Sequence, residues 1–355
     1  MRNHVDITFH PSWWYKHTGV EFDEKFWFDA DYRTEADIAM RRKLFEYFGD
    51  FGIGEENPSP RPNLFSDLLA CGFLYSQILG CEIQFSKDDA PQVLPAKLTE
   101  DQIRSLQVPD LDRHPVWQKV QRQVDVYMEK FGYVESAINL MGIQNIALDL
   151  WGEELFLDYY DDESDLHPHL LDVITELSLD IGNRLYAVSD VVSGGVTSIV
   201  KQSVPQVYLT SNCSVTMISN DLYCEKLLPY DVRLAKAFPC FGIHHCGSNM
   251  ENVIDGYLQV PNLKFLEIGA GSNLSQIARA IGNRDIISCI RYSPVALKTD
   301  TAHIMREKTE EAIRAFGSDQ NLCFSCVGID KDVSVERVRA YLSLFRKEGT
   351  AASAH

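Results

Sequence analysis

A few side chains of the types that bind a soft metal ion fall where the sequence pattern predicts strands to end. In the run Cys240-Phe-Gly-Ile-His-His-Cys-Gly-Ser-Asn, His244 and Cys246 are two residues apart, and in extended backbone such a pair projects to one side. One imidazole nitrogen and one thiolate can then converge on a single ion. Glu267 closes the next predicted strand, and Cys326 closes the last one, in Phe324-Ser-Cys-Val-Gly. Sulfur and nitrogen donors together favour zinc over magnesium or calcium. Three protein ligands leave a fourth position open, the pattern of a catalytic rather than a structural ion. Cys323 competes with Cys326 for the third place, but residues three apart on a strand face opposite sides, so only one can reach the ion, and Cys326 is the expected one. Cys71, Cys81, Cys213, Cys224, Cys240 and Cys289 read as small buried hydrophobes.

These residues are remote in sequence, so the fold must bring them together. Short β-branched or apolar runs alternate with longer amphipathic segments, the pattern of βα units. Strands are predicted at Val5–Phe9, Glu82–Phe85, Ile143–Leu148, Val207–Thr210, Phe241–His244, Lys264–Ile268, Asp285–Arg291 and Asn321–Val327. Helices are predicted between them, including 35–48, 65–79, 165–185 and 300–316. Eight strands with intervening helices give an α/β expectation: a single (β/α)8 TIM barrel over residues 1–348 with an N-terminal helical extension and a disordered tail at 349–355. A barrel of this kind carries its chemistry at the carboxyl ends of the strands. The polar residues there are Asp149, Ser211 with Asn212, His244 to Cys246, Glu267 and Cys326.

Composition narrows the function classes. The chain has 355 residues, is 45% hydrophobic and carries a net charge of −18. That charge repels phosphate backbones and anionic lipid, so neither nucleic acid nor membrane is an expected partner. No stretch approaches the roughly 18 apolar residues of a membrane span, and the first residues lack an apolar signal core. Nine cysteines, an odd number spread widely, suit reduced thiols and a cytoplasmic location better than a disulfide framework.

Several segments resemble the uroporphyrinogen decarboxylase superfamily: Leu64-Phe-Ser-Asp-Leu-Leu followed by Leu79-Gly-Cys-Glu-Ile-Gln-Phe, Asp158-Tyr-Tyr-Asp-Asp-Glu, Leu228-Pro-Tyr, His244-His-Cys-Gly, and Ile286-Ile-Ser-Cys-Ile-Arg-Tyr-Ser-Pro. In order and spacing they span about residues 5 to 345. The resemblance implies a (β/α)8 barrel and one of two chemistries. The decarboxylases carry an arginine-rich amino-terminal segment that grips acidic side chains, and the matching stretch here, His10-Pro-Ser-Trp-Trp-Tyr-Lys-His, has no arginine. They also end the last barrel strand in Gly-His-Gly, where this chain has Ser325-Cys-Val.

The zinc-dependent corrinoid methyltransferases of the superfamily are the closer match. By that resemblance His244, Cys246 and Cys326 are the metal ligands and Glu267 an exchangeable fourth. Asp67 matches the Phe-Ser-Asp aspartate and would face corrinoid or substrate, or cap the following helix. Trp14 and Asn212 are the candidate cofactor contacts, although Trp13, Trp14 and Tyr15 read equally well as core. The implied activity moves a methyl group between methylcobalamin, carried by a partner corrinoid protein, and a small thiol or an O-methyl or S-methyl substrate. A tetrapyrrole decarboxylase is the alternative, and a homodimer is kept as an expectation.

One rival motif exists. Phe265-Leu-Glu-Ile-Gly-Ala-Gly-Ser-Asn looks like the glycine-rich loop of enzymes that use S-adenosylmethionine, but Arg291 stands where the acidic ribose ligand would be required. Gly269 and Gly271 are read as a tight strand-to-helix turn. His167 and His169 flank Pro168 at an acidic helix start and read as capping or solvated side chains.

Overall fold

The computed structural model describes residues 4–317 and 321–346; the 349–355 tail lies outside them. Ten strands are present among the described residues: β1 (His4–Phe9), β2 (Asn63–Phe65), β3 (Glu82–Gln84), β4 (Gln92–Leu94), β5 (Glu135–Ala137), β6 (Val207–Ser211), β7 (Cys240–His245), β8 (Leu263–Ile268), β9 (Ile287–Arg291) and β10 (Leu322–Ile329). Six form one parallel sheet in the order β1-β10-β9-β8-β7-β6, with helices between successive strands. Most residues of these strands are buried, as expected where both faces of a parallel sheet are covered.

All six of these strands coincide with predicted ones. Among the described residues the strands do not join into one eight-stranded ring. β2 and β5 make a separate parallel pair, and a single bridge, Met141 to Ser211, ties the chain beyond β5 to β6. The result is a mostly parallel, barrel-like α/β architecture of six strands plus two.

Two predicted strands are corrected. Ile143–Leu148 lies in a helix, Ile143–Trp151. Its buried residues Ile143, Ile146, Ala147 and Leu150 recur at helical spacing, and the strand of this unit lies upstream at β5. Asp149 therefore sits on that helix and accepts a hydrogen bond from Ser76 Oγ (2.6 Å) rather than facing a strand-end mouth. The Glu82–Phe85 strand does form, as β3, but it pairs antiparallel with β4 in a hairpin outside the main sheet.

The amino-terminal helices follow β1. Pro11–Thr18 starts with His10 as cap and Pro11 at its first position and ends at Gly19, whose φ of 73° only glycine adopts freely. It buries Trp13 and Trp14 against Phe9. Helix 30–48 follows, with Asp29 accepting from the amides of residues 31 and 32.

Candidate metal centre

Register decides which side chains meet. β6, β7 and β8 are aligned so that Ser211 lies beside His244 and His244 beside Glu267. Glu267 in turn lies beside Cys289, and Arg291 beside Ser325. Side chains at i and i+2 share a face, so His244, Glu267, Arg291 and Ser325 line one surface. Their contacts agree: Ser325 Oγ donates to Glu267 Oε1 at 3.1 Å, Arg291 Nε stands 3.5 Å from the same oxygen, and His244 Nδ1 is bonded to Glu267 Oε2.

Cys246 follows directly on β7, and Cys213 lies two residues beyond β6. Donor atoms of Cys213, His244 and Cys246 all lie within 4.8 Å of one another. Because Glu267 occupies Nδ1, the free donor of His244 is Nε2, which stands 3.5 Å from Arg291 Nη1. His244 is buried, Glu267 is fully buried, Cys213 is half-buried and Cys246 is exposed, so the group opens toward solvent at its sulfur side.

The electrostatics favour a thiolate. A hydrogen bond from the Cys213 thiol pulls Cys246 well below the ordinary thiol range against the effect of burial, with His244 and Arg291 assisting. Cys213 shifts upward, chiefly through that same hydrogen bond to Cys246. Burial opposes the charged forms of both His244 and Glu267 but is outweighed by their mutual attraction, which raises His244 and lowers Glu267. Two sulfurs and an imidazole backed by a carboxylate are a donor set suited to zinc.

Cys326, the expected third ligand, lies outside this group. β10 continues to Ile329, so Cys326 is mid-strand rather than terminal. Strand alternation gives the inner face to Ser325, and Cys326 joins the outer core that includes Ile7 and Tyr341. Burial holds its thiol up at about 12. Cys323 does face inward but packs in a separate apolar cluster with Cys289, Leu209 and Phe265. Cys213, which as a lone cysteine reads as packing, is the residue that the structure groups with His244 and Cys246.

No protein-family profile matches the sequence, and no curated protein matches it. Solved structures do. A methyltransferase from Methanosarcina mazei superposes with a TM-score of 0.67 at 18% identity, covering 97% of this chain and 93% of that one. A B12-independent methionine synthase from Shewanella sp. W3-18-1, in complex with selenomethionine, gives 0.50 at 10% identity, covering 97% and 96%. At these identities the likeness is one of fold.

The remaining sequence candidates lie elsewhere. Trp14 is fully buried, with its indole N–H directed at Leu68 O (3.3 Å), so it is core. Asn212 is also buried; its side chain donates to Asp231 Oδ2 (2.8 Å), and its amide donates to His244 O (2.8 Å). It adjoins Cys213 without belonging to the donor group. Asp67 is bound by Arg61, Asn63 and Lys201, at 2.6 Å for Arg61 Nη2 and 2.6 Å for Lys201 Nζ. Burial opposes its charge, but Arg61 and Lys201 hold its carboxyl below the usual range. It lines a cavity of about 700 Å³ against the first residues of β1, which none of the three donors touches.

The glycine-rich turn after β8 is as tight as expected. A Cβ on Gly269 would lie 1.9 Å from Gly247 O, and Gly271 has a φ of 92°. With Arg291, Tyr292 and Lys308 it borders a cavity of about 490 Å³. His167 pairs with Asp158 (2.7 Å) and His169 with Leu106 O (3.0 Å), both at a helix start. Among the described residues no helix is long and apolar enough to cross a membrane.

Proposed function

We propose that the chain is a zinc-dependent methyltransferase in which Cys213, His244 and Cys246 hold the ion. The observation that carries this reading is the convergence of two thiols and one imidazole at the carboxyl ends of β6 and β7, with a buried carboxylate behind the imidazole. Zinc bound there would supply Lewis acidity, making a coordinated thiol acidic or polarising a methoxy or methylthio group. Glu267 fixes the His244 tautomer by accepting from Nδ1 and so directs Nε2 at the ion. Arg291 and Ser325 in turn hold Glu267. The methyltransferase named in the first comparison supports the reaction type.

The finer part of the proposal is a methyl transfer between a cobalamin on a partner corrinoid protein and a small thiol or O-methyl or S-methyl substrate. It rests on the sequence resemblance. Among the described residues Leu157, Tyr160, Met217 and Val295 are the most exposed large apolar side chains, 61–76% accessible. Met217 and Val295 lie on the connections that follow β6 and β9. The methionine synthase comparison favours a second reading, transfer from a donor other than cobalamin, since that protein is B12-independent.

Zinc-loaded protein incubated with isotopically labelled methylcobalamin and a panel of thiols should give labelled thioether, and Cys246→Ser should abolish it. Transfer from a cobalamin-free methyl donor alone would select the second reading. Decarboxylation of a porphyrinogen by metal-free protein would overturn both.

A further inference from the structure

The two turns that carry the cysteines are held from behind. Asn212, next to Cys213, donates from Nδ2 to Asp231 Oδ2 at 2.8 Å, and the same oxygen accepts from Tyr223 OH at 2.7 Å. On the other side His245, between His244 and Cys246, points away from the donor group. Its Nδ1 meets Tyr257 OH at 2.9 Å and its Nε2 faces Ser248 O at 3.4 Å, closing the turn that contains Cys246. Thr216 Oγ1 also donates to Ser248 O (3.0 Å), which joins the two turns.

Both arms end on one aromatic contact. Tyr223, in helix Asn220–Lys226, and Tyr257, in helix Ile254–Tyr257, pack edge to face with ring centroids 5.0 Å apart at 88°. Tyr223, Tyr257 and His245 are fully buried, and Asp231 is nearly so. Gly256 makes the contact feasible: a Cβ there would lie 2.5 Å from Tyr223 Cδ1. A chain of buried hydrogen bonds with two fixed ends resists displacement, because breaking any link leaves an unpaired polar group out of water.

From this geometry we infer that Tyr223, Asp231, Tyr257 and His245 are positioning residues, a single bracket that sets the distance between the Cys213 turn and the His244–Cys246 turn. The inference rests on the metal reading above and goes beyond it: metal affinity and coordination geometry are governed from the tyrosine pair, none of whose atoms belongs to the donor group.

Cobalt(II) titrated into the full-length protein against a competing chelator reads affinity. Its absorption spectrum reads thiolate coordination and tetrahedral geometry, which a purely structural role would leave unchanged in any variant that folds. Tyr223→Phe and Tyr257→Phe should each weaken cobalt about 10–100-fold and diminish the sulfur-to-metal band. The double variant should lose less than the product of the two, because the arms act as one unit. Gly256→Ala should act in the same direction. Asp231→Leu should lose affinity, whereas Asp231→Asn, whose amide oxygen can accept both hydrogen bonds, should recover most of it. Circular dichroism identifies the folded variants, and the Tyr→Phe pair keeps the test decisive if Asp231→Leu does not fold. Wild-type affinity and spectrum in both Tyr→Phe variants would overturn the bracket while leaving the metal reading intact. Absence of cobalt binding by the wild type would overturn both.

Discussion

Two buried carboxylates, Glu267 and Asp67, show what separates a reactive arrangement from a structural one. Each is engaged by cationic or potentially cationic side chains. Asp67 meets Arg61, Lys201 and Asn63, whose donors are spent on it and on neighbouring acids such as Asp37 and Glu135. Glu267 meets Arg291 and His244, a ring whose second nitrogen lies 3.5 Å from Arg291 Nη1 and which is grouped with two thiols. Burial and ion pairing alone therefore do not mark a site; what matters is whether the partner is itself grouped with other metal-binding side chains. On the proposed reading the chemistry lies at the carboxyl ends of β6 to β9, and the Asp67 network serves the fold.

That contrast can be broken in several ways. The largest effect is expected at Asp67. Asp67→Ala strands two charged partners in a largely buried setting and should cost about 3–5 kcal/mol of stability, read by urea unfolding, while zinc content stays unchanged. Lost zinc in a folded Asp67→Ala protein would erase the distinction.

A second effect separates Asp231, behind the Cys213 turn, from Asp67 by the sign of their pH dependence. Asp231 has no cationic partner among the described residues, and burial pushes it up to about 6 despite hydrogen bonds from Tyr223 and Asn212. The fold thus favours its neutral form, and its contribution to stability is full below the ordinary carboxylate range and lost as pH rises through about 6. Relative to wild type, Asp231→Asn should gain up to about 3 kcal/mol on going from pH 4 to pH 7. Asp67, held below the usual range, contributes stability above that range and loses it as pH falls, so Asp67→Asn should show the opposite trend. Parallel unfolding curves for the two variants at both pH values would contradict the assignment.

The smallest effect sharpens the role of Glu267. Glu267→Gln keeps the shape but weakens the hold on Nδ1, and should reduce zinc affinity about 10–100-fold. A full loss of zinc would instead make Glu267 a direct ligand.

Much of this arrangement is legible in the sequence. The six strands of the main sheet are long apolar runs with turn residues at their ends, and the pattern finds every one. His244 and Cys246 emerge from simple i, i+2 spacing at such an end. β2 and β5 escape because each is only three residues long and includes small or polar residues, Asn63, Glu135 and Ser136, that carry no strand signal. The helix at Ile143–Trp151 misleads because a short apolar run fits strand and helix alike. Membership of the donor group escapes for a geometric reason: the choice weighed was between Cys323 and Cys326, both on β10, and it turns on where β10 ends and which face Ser325 takes, so a one-residue difference in parity reverses the answer. The usable signal was the strand end at Ser211, two residues before Cys213.

The most direct test of the central claim is zinc content after purification in wild type, Cys213→Ser and Cys326→Ala. About one zinc per chain in wild type and Cys326→Ala, with loss in Cys213→Ser, is the result expected of a centre built from Cys213, His244 and Cys246. Zinc retained in Cys213→Ser and lost in Cys326→Ala would contradict it.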